Sequence, residues 1–153
     1  MVAICYSSKT GTCRRYAESL SGSLKVPCFD CSYHTDEKDI IFIGWLKGKQ
    51  VVGLDKFNPD QLSSVCVVGL APGTDIDAII AKYSLSSPVF YLRGAINRNR
   101  LSFTDKLILS VVCAFMRLKG MDQMGMELYN VTKNGGSFYD EKYLLPVIKL
   151  YGR

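Results

Sequence analysis

At 153 residues with 48% hydrophobic content, the chain can bury the core of one domain and is short for two. The N-terminus enters an apolar run at residue 2 without the basic and apolar segments and cleavage site of a secretory signal, so a cytoplasmic location is expected, with the six cysteines as free thiols. The formal charge of +5 is unevenly spread: between Lys82 and Lys119, Lys82, Arg93, Arg98, Arg100, Lys106, Arg117 and Lys119 stand against Asp105 alone, which predicts an acidic partner, an anionic substrate or an anionic membrane surface, and nothing in the sequence points to nucleic acid.

The first predicted element is a strand over Val2 to Tyr6, apolar and β-branched until a polar break. Ser7, Ser8, Lys9, Thr10, Gly11 and Thr12 follow, supplying four hydroxyls and a glycine that lets backbone amides approach an anion. Cys13 comes next, and Tyr16, Ala17 and Leu20 then fall at helical spacing. The loop therefore sits on a helix N-terminus, with unpaired amides and a positive dipole end, as a phosphate site requires. Gly11 is followed by Thr12 and Cys13, which excludes a Walker loop, and a lone glycine excludes the dinucleotide fingerprint.

A second strand is expected over Lys25 to Tyr33. It contains Cys28 and Cys31, with His34 at the same interval. A zinc site would need a fourth ligand and a reactive dithiol would need a helix N-terminus, so both cysteines read as buried or edge-strand side chains. Ile40 to Trp45 is apolar throughout and predicts a central strand buried on both faces. A long loop through Leu46, Lys47, Gly48, Gly53 and Asp55 should lead to a short helix near Pro59 to Ser64, capped by Asn58.

Val65 to Leu70 predicts a fourth strand, ending in Leu70, Ala71, Pro72 and Gly73 before a helix capped by Thr74 or Asp75. Val89 to Leu92 predicts a fifth, followed by the basic loop Arg93-Gly94-Ala95 and a helix over Phe103 to Leu118. Within that helix Leu107 to Met116 is apolar on nearly every side. It is too short to span a bilayer and is expected to be a core helix, with peripheral membrane contact beside the basic residues as the other reading. From about residue 121 a C-terminal extension carries the turn Asn134-Gly135-Gly136 and a terminal helix shortened or kinked by Pro146. Strands alternating with helices over short connections imply one α/β domain, residues 1 to 153, with a doubly wound parallel sheet.

The stretch Ser8-Lys9-Thr10-Gly11-Thr12-Cys13 resembles the phosphate loop of the flavodoxin family, Ser/Thr-x-Thr-Gly-Asn-Thr, with Thr12 in place of Asn and Cys13 in place of Thr. The resemblance implies a flavodoxin-like sandwich with five parallel strands in the order 2-1-3-4-5 and FMN as cofactor. Phosphate would be held by Ser7 to Cys13, and the two faces of the ring by Trp45, Leu46, Lys47 and Gly48 and by Leu70, Ala71, Pro72 and Gly73. It implies that Gly48 or Gly44 offers a carbonyl to flavin N5, and that electrons pass to a partner oxidoreductase. Lys47 lies in the same loop, and a cation there favours reduction. Arg93-Gly94-Ala95, Leu101-Ser102-Phe103 and Lys106-Leu107 are similar to a segment of menaquinone-dependent protoporphyrinogen dehydrogenases, which would make the chain a quinone-linked enzyme. A cofactor-free interaction module is the third reading, since both departures weaken the loop. No catalytic acid, base or nucleophile and no metal ligand set is expected on these loops.

Overall fold

The computed structural model describes residues 1–33 and 36–152. Its strands are β1 (Ala3–Tyr6), β2 (Cys28–Asp30), β3 (Ile40–Lys47), β4 (Gln50–Val51), β5 (Leu62–Gly69) and β6 (Val89–Arg93). Five of them run parallel in the order β2-β1-β3-β5-β6, and β4 folds back on β3 as a short antiparallel hairpin. Setting that hairpin aside, this is the expected flavodoxin-like order.

Side-chain alternation sorts the core onto the two faces of the sheet. Ile4, Ile41, Ile43, Cys66 and Leu92 face one side, where they meet Tyr16, Ala17 and Leu20 of α1 (Thr12–Leu24) and Val147 at the C-terminus. Cys5, Ile40, Phe42, Val65 and Val67 face the other, against Val51, Leu54 and the buried Ile79 of α2 (Ile76–Tyr83). Neighbouring residues of one strand thus belong to different cores, which is why these strands read as continuous apolar runs.

Several expected elements shift. β3 extends through Leu46 and Lys47 and reverses at Gly48, whose φ of 63° suits a residue without a Cβ, so the predicted long loop begins as a hairpin. The helix near Pro59 to Ser64 is only a 3₁₀ turn over Pro59–Gln61. Asn58 caps it as expected, but Leu62 is already drawn into β5 beside Ile40. Of the two proposed caps for α2, Asp75 is the one used, accepting from the Ala78 amide.

The larger departure is α3 (Phe103–Lys119). Ser102 caps it, and its last turn holds Arg117 and Lys119. Cys113 is its one buried residue, whereas Phe103 and Leu118 are more than four-fifths exposed. It is therefore not a core helix, and its main packing partner among the described residues is α4 (Gln123–Asn134). The pair is joined to the domain through β7 (Ala95–Ile96), which pairs antiparallel with β8 (Gly136–Ser137). The C-terminal helix α5 (Leu145–Tyr151) is short and carries Pro146 in its first turn rather than kinking there.

Cys28 packs against the core on one face and Cys31 in the core on the other, so these two thiols are turned apart. Both are free. His34 lies outside the described residues.

Candidate functional site

The carboxyl ends of β1, β3 and β5 meet around one cavity of about 370 Å³, within the usual range of roughly 300–1,000 Å³ for small-molecule sites. At one end lies the loop after β1. Gly11, with φ 99°, caps α1, and its amide donates to Ser8 Oγ at 3.1 Å. The first helical bond runs from the Arg15 amide to the Gly11 carbonyl, so the amides of Thr12, Cys13 and Arg14 precede the ladder. Ser8, Lys9, Thr10, Thr12 and Cys13 line this end.

The middle is more apolar. Trp45, Leu46, Lys47 and Gly48 line it from β3 and its hairpin, and Leu70, Ala71 and Gly73 from the loop after β5. β6 fixes that second loop: Tyr91 Oη donates to the Ala71 carbonyl at 2.7 Å, and Arg93 Nη2 to the Leu70 carbonyl at 2.9 Å. The Arg93 guanidinium also stacks 3.7 Å above the Phe138 ring, which joins this loop to the C-terminal extension.

Three residues assigned to the site from sequence do not line the cavity. Ser7 continues the β1 ladder through its amide to the Ile43 carbonyl, with its side chain against Gly53. Gly11 acts through its backbone, and Pro72 is exposed. The two glycines offered as a flexible carbonyl also separate. Gly44 lies inside β3 opposite Val67, held in the ladder, whereas Gly48 occupies the hairpin turn with open space around it.

Cys13 does not present its thiol to the loop. The side chain is buried in the core that includes Cys66, and burial first, then the nearby Cys66, pushes the thiol pKa well up. Its amide, not its sulfur, is what the site can use. Cys13→Thr is accordingly expected to bury a hydroxyl without improving anion binding, at a stability cost of about 1–3 kcal/mol, to be read by urea denaturation.

A further wall, which no local sequence pattern announced, comes from α3 through Asp105, Ile108, Leu109 and Val112. Two contacts hold α3 and its approach over the phosphate loop. Lys9 forms an ion pair with Asp105, and Arg100 Nη1 donates to the Thr10 carbonyl at 3.1 Å. The Lys9 hydrogen bond holds the Asp105 carboxyl below its ordinary range, with Ser102 and the charge of Lys47 acting the same way. Because the folded-state pKa is depressed, this tether is present above the ordinary carboxylate range and is lost as pH falls through the depressed value. Asp105→Asn is expected to lower Tm slightly at neutral pH, by the small contribution of a partly exposed pair, and not at all at the acid end, so that a plot of Tm against pH flattens by that same small amount.

The phosphate end offers the amides at the start of α1, hydroxyls and the Lys9 cation, itself paired with Asp105, while the middle offers Trp45 and aliphatic walls. That donor set suits a flat aromatic ligand carrying a phosphate. No family model matches the chain, and the search of curated proteins gives no match. Among solved structures the chain is similar to a putative flavoprotein from Bacteroides eggerthii DSM 20697, with 11% identity, a TM-score of 0.40, and coverage of 79% of this chain and 98% of that one. An overlap that loose carries no weight for the fold, which rests on the strand order itself.

Proposed function

We propose that the chain is an FMN-binding flavoprotein of the electron-transfer type, passing electrons to a partner oxidoreductase. The observation that carries this reading is the meeting of three strand-end loops in one cavity, lined both by the N-terminus of α1 and by Trp45. When bound, the flavin supplies the redox chemistry. The chain's residues bind and orient it: the amides of Thr12 to Arg14 and the Thr10 and Thr12 hydroxyls hold phosphate, Trp45 and Leu70 flank the ring, and the Leu109 and Val112 wall excludes water.

The experiment is purification followed by denaturation and identification of the released chromophore. FMN supports the reading. A colourless protein that neither retains nor takes up FMN overturns it in favour of an interaction module. The apolar α3 wall favours a second reading, in which the chain itself oxidises an apolar substrate beside the flavin and hands electrons to a quinone. Turnover of a porphyrinogen with a quinone acceptor, without any added reductase, would select that reading over the carrier.

Lys47 lines the cavity, and Asp105 stands close enough for the two charges to act on each other. A cation here favours added negative charge, and a carboxylate opposes it. Lys47→Ala is therefore expected to lower the midpoint potential of the bound flavin by on the order of 20–40 mV, and Asp105→Asn to raise it, both measured by spectroelectrochemistry.

A further inference from the structure

The groove between α3 and α4 holds a second cavity, of about 400 Å³, which shares no lining residue with the first. Arg117 from the last turn of α3, Lys133 from the last turn of α4 and Arg98 from the turn after β7 all line it, and among the described residues no carboxylate does. None of the three cations has an acidic partner among the described residues. Of the acids on α4 and at its cap, Asp122 accepts from the Gly125 amide and Glu127 stands outside the lining. Three like charges in one groove repel one another, and an anion seated among them removes that repulsion.

The end of α4 would itself oppose an anion, but its carbonyls are taken. Arg98 Nη1 donates to the Thr132 carbonyl at 3.3 Å and to the Lys133 carbonyl, and the Gly135 amide donates to the Val131 carbonyl at 2.8 Å. The same bonds fix the Arg98 guanidinium at the groove while its Nε and Nη2 make no hydrogen bond among the described residues. Lys133 Nζ lies 5.8 Å from the centroid of the Tyr129 ring, so a cation and a flat apolar wall stand side by side.

We propose that this groove is a binding site for a small phosphate monoester, with the phosphate between Arg98, Arg117 and Lys133 and the organic body along Tyr129. Two guanidinium forks and an ammonium match the three terminal oxygens and double charge of such a group. A carboxylate brings one charge and two oxygens and would leave a cation unanswered. The cavity has the size of a small-molecule site, roughly 300–1,000 Å³, which is too roomy for a bare phosphate ion.

Because the start of α1 is a separate place for a phosphate, the test must say where binding occurs. Phenyl phosphate is titrated into the full chain and followed residue by residue through amide NMR shifts. Saturable shifts are expected at Ser110, Arg117, Tyr129 and Lys133, whether or not FMN occupies the other cavity. The pair Arg117→Gln, Lys133→Gln should weaken binding in the groove at least about tenfold, through the loss of two charge-assisted contacts, and leave any shifts at Ser8 to Arg14 as they were. The unliganded variant should melt no lower than the parent, since it sheds two mutually repelling charges. Benzoate should bind at least about tenfold more weakly than phenyl phosphate. Absence of saturable shifts in the groove up to about 10 mM overturns the proposal, as does equal affinity in the double variant. Shifts confined to Ser8 to Arg14 assign the phosphate to the first cavity alone and overturn it too, and benzoate binding as tightly as phenyl phosphate removes the phosphate assignment.

Discussion

Thr12→Asp is expected to weaken FMN binding at least about a hundredfold while leaving riboflavin binding within about threefold. Thr12 is the first residue of α1 and lines the phosphate end of the cavity. A carboxylate there would face a doubly charged phosphate at close range. Unit charges about 4 Å apart near a protein surface interact by roughly 4 kcal/mol, and solvent screening still leaves a penalty above 2–3 kcal/mol. The fold should not suffer. The first turn of α1 carries no acidic residue, so aspartate at this position gains from the helix dipole by about 0.3–1 kcal/mol. Calorimetric titration with FMN and riboflavin, beside a thermal melt of the apoprotein, separates the two effects. A parallel fall in both affinities would place the phosphate elsewhere, and an unchanged FMN affinity would remove this loop from the site.

The parts of the site legible in sequence were those written locally. Each of β1, β3 and β5 is an apolar run closed by glycine or hydroxyl residues, so strand, loop and order could be read from neighbours in the chain. What escaped depended on contacts between distant segments. Lys9 and Asp105 are 96 positions apart, and nothing in either stretch names the other. The segment LILSVVCAFM is apolar on almost every side, so its periodicity could not distinguish a helix wrapped by core from one with a single packed edge. Cys13 escaped for a related reason: a loop motif specifies which residue stands second after the glycine, but the rotation of the first helical turn decides whether its thiol sees ligand or core. The hairpin after β3 is only two residues wide on its return strand and left no pattern long enough to read.

Phe42→Ala is expected to cost about 3–5 kcal/mol, a large share of the roughly 5–15 kcal/mol that holds a domain of this kind together. Phe42 is fully buried at the centre of β3 and sits against Phe57 with ring centroids 5.4 Å apart. Its ring also occupies the space above Gly44: a Cβ added there would lie 2.5 Å from Phe42 Cε1 and 2.9 Å from the Val52 carbonyl oxygen. Gly44→Ala alone must therefore displace an aromatic ring held by its neighbours, and about 1–3 kcal/mol of overpacking is expected. The two substitutions should not be additive. Removing the ring frees the Cβ from its nearer contact and lets the methyl fill part of the cavity, so the double variant should be less destabilised than the sum of the two by about 1 kcal/mol or more. Rescue stays incomplete because the Val52 carbonyl belongs to the backbone and cannot withdraw as a side chain can. Urea denaturation of the four proteins in the cycle measures the coupling. Strict additivity would mean that β3 bends away from the glycine, in which case the hairpin carrying Lys47 and Gly48, which continues the same strand, should move with it and alter ligand affinity in the Gly44→Ala variant.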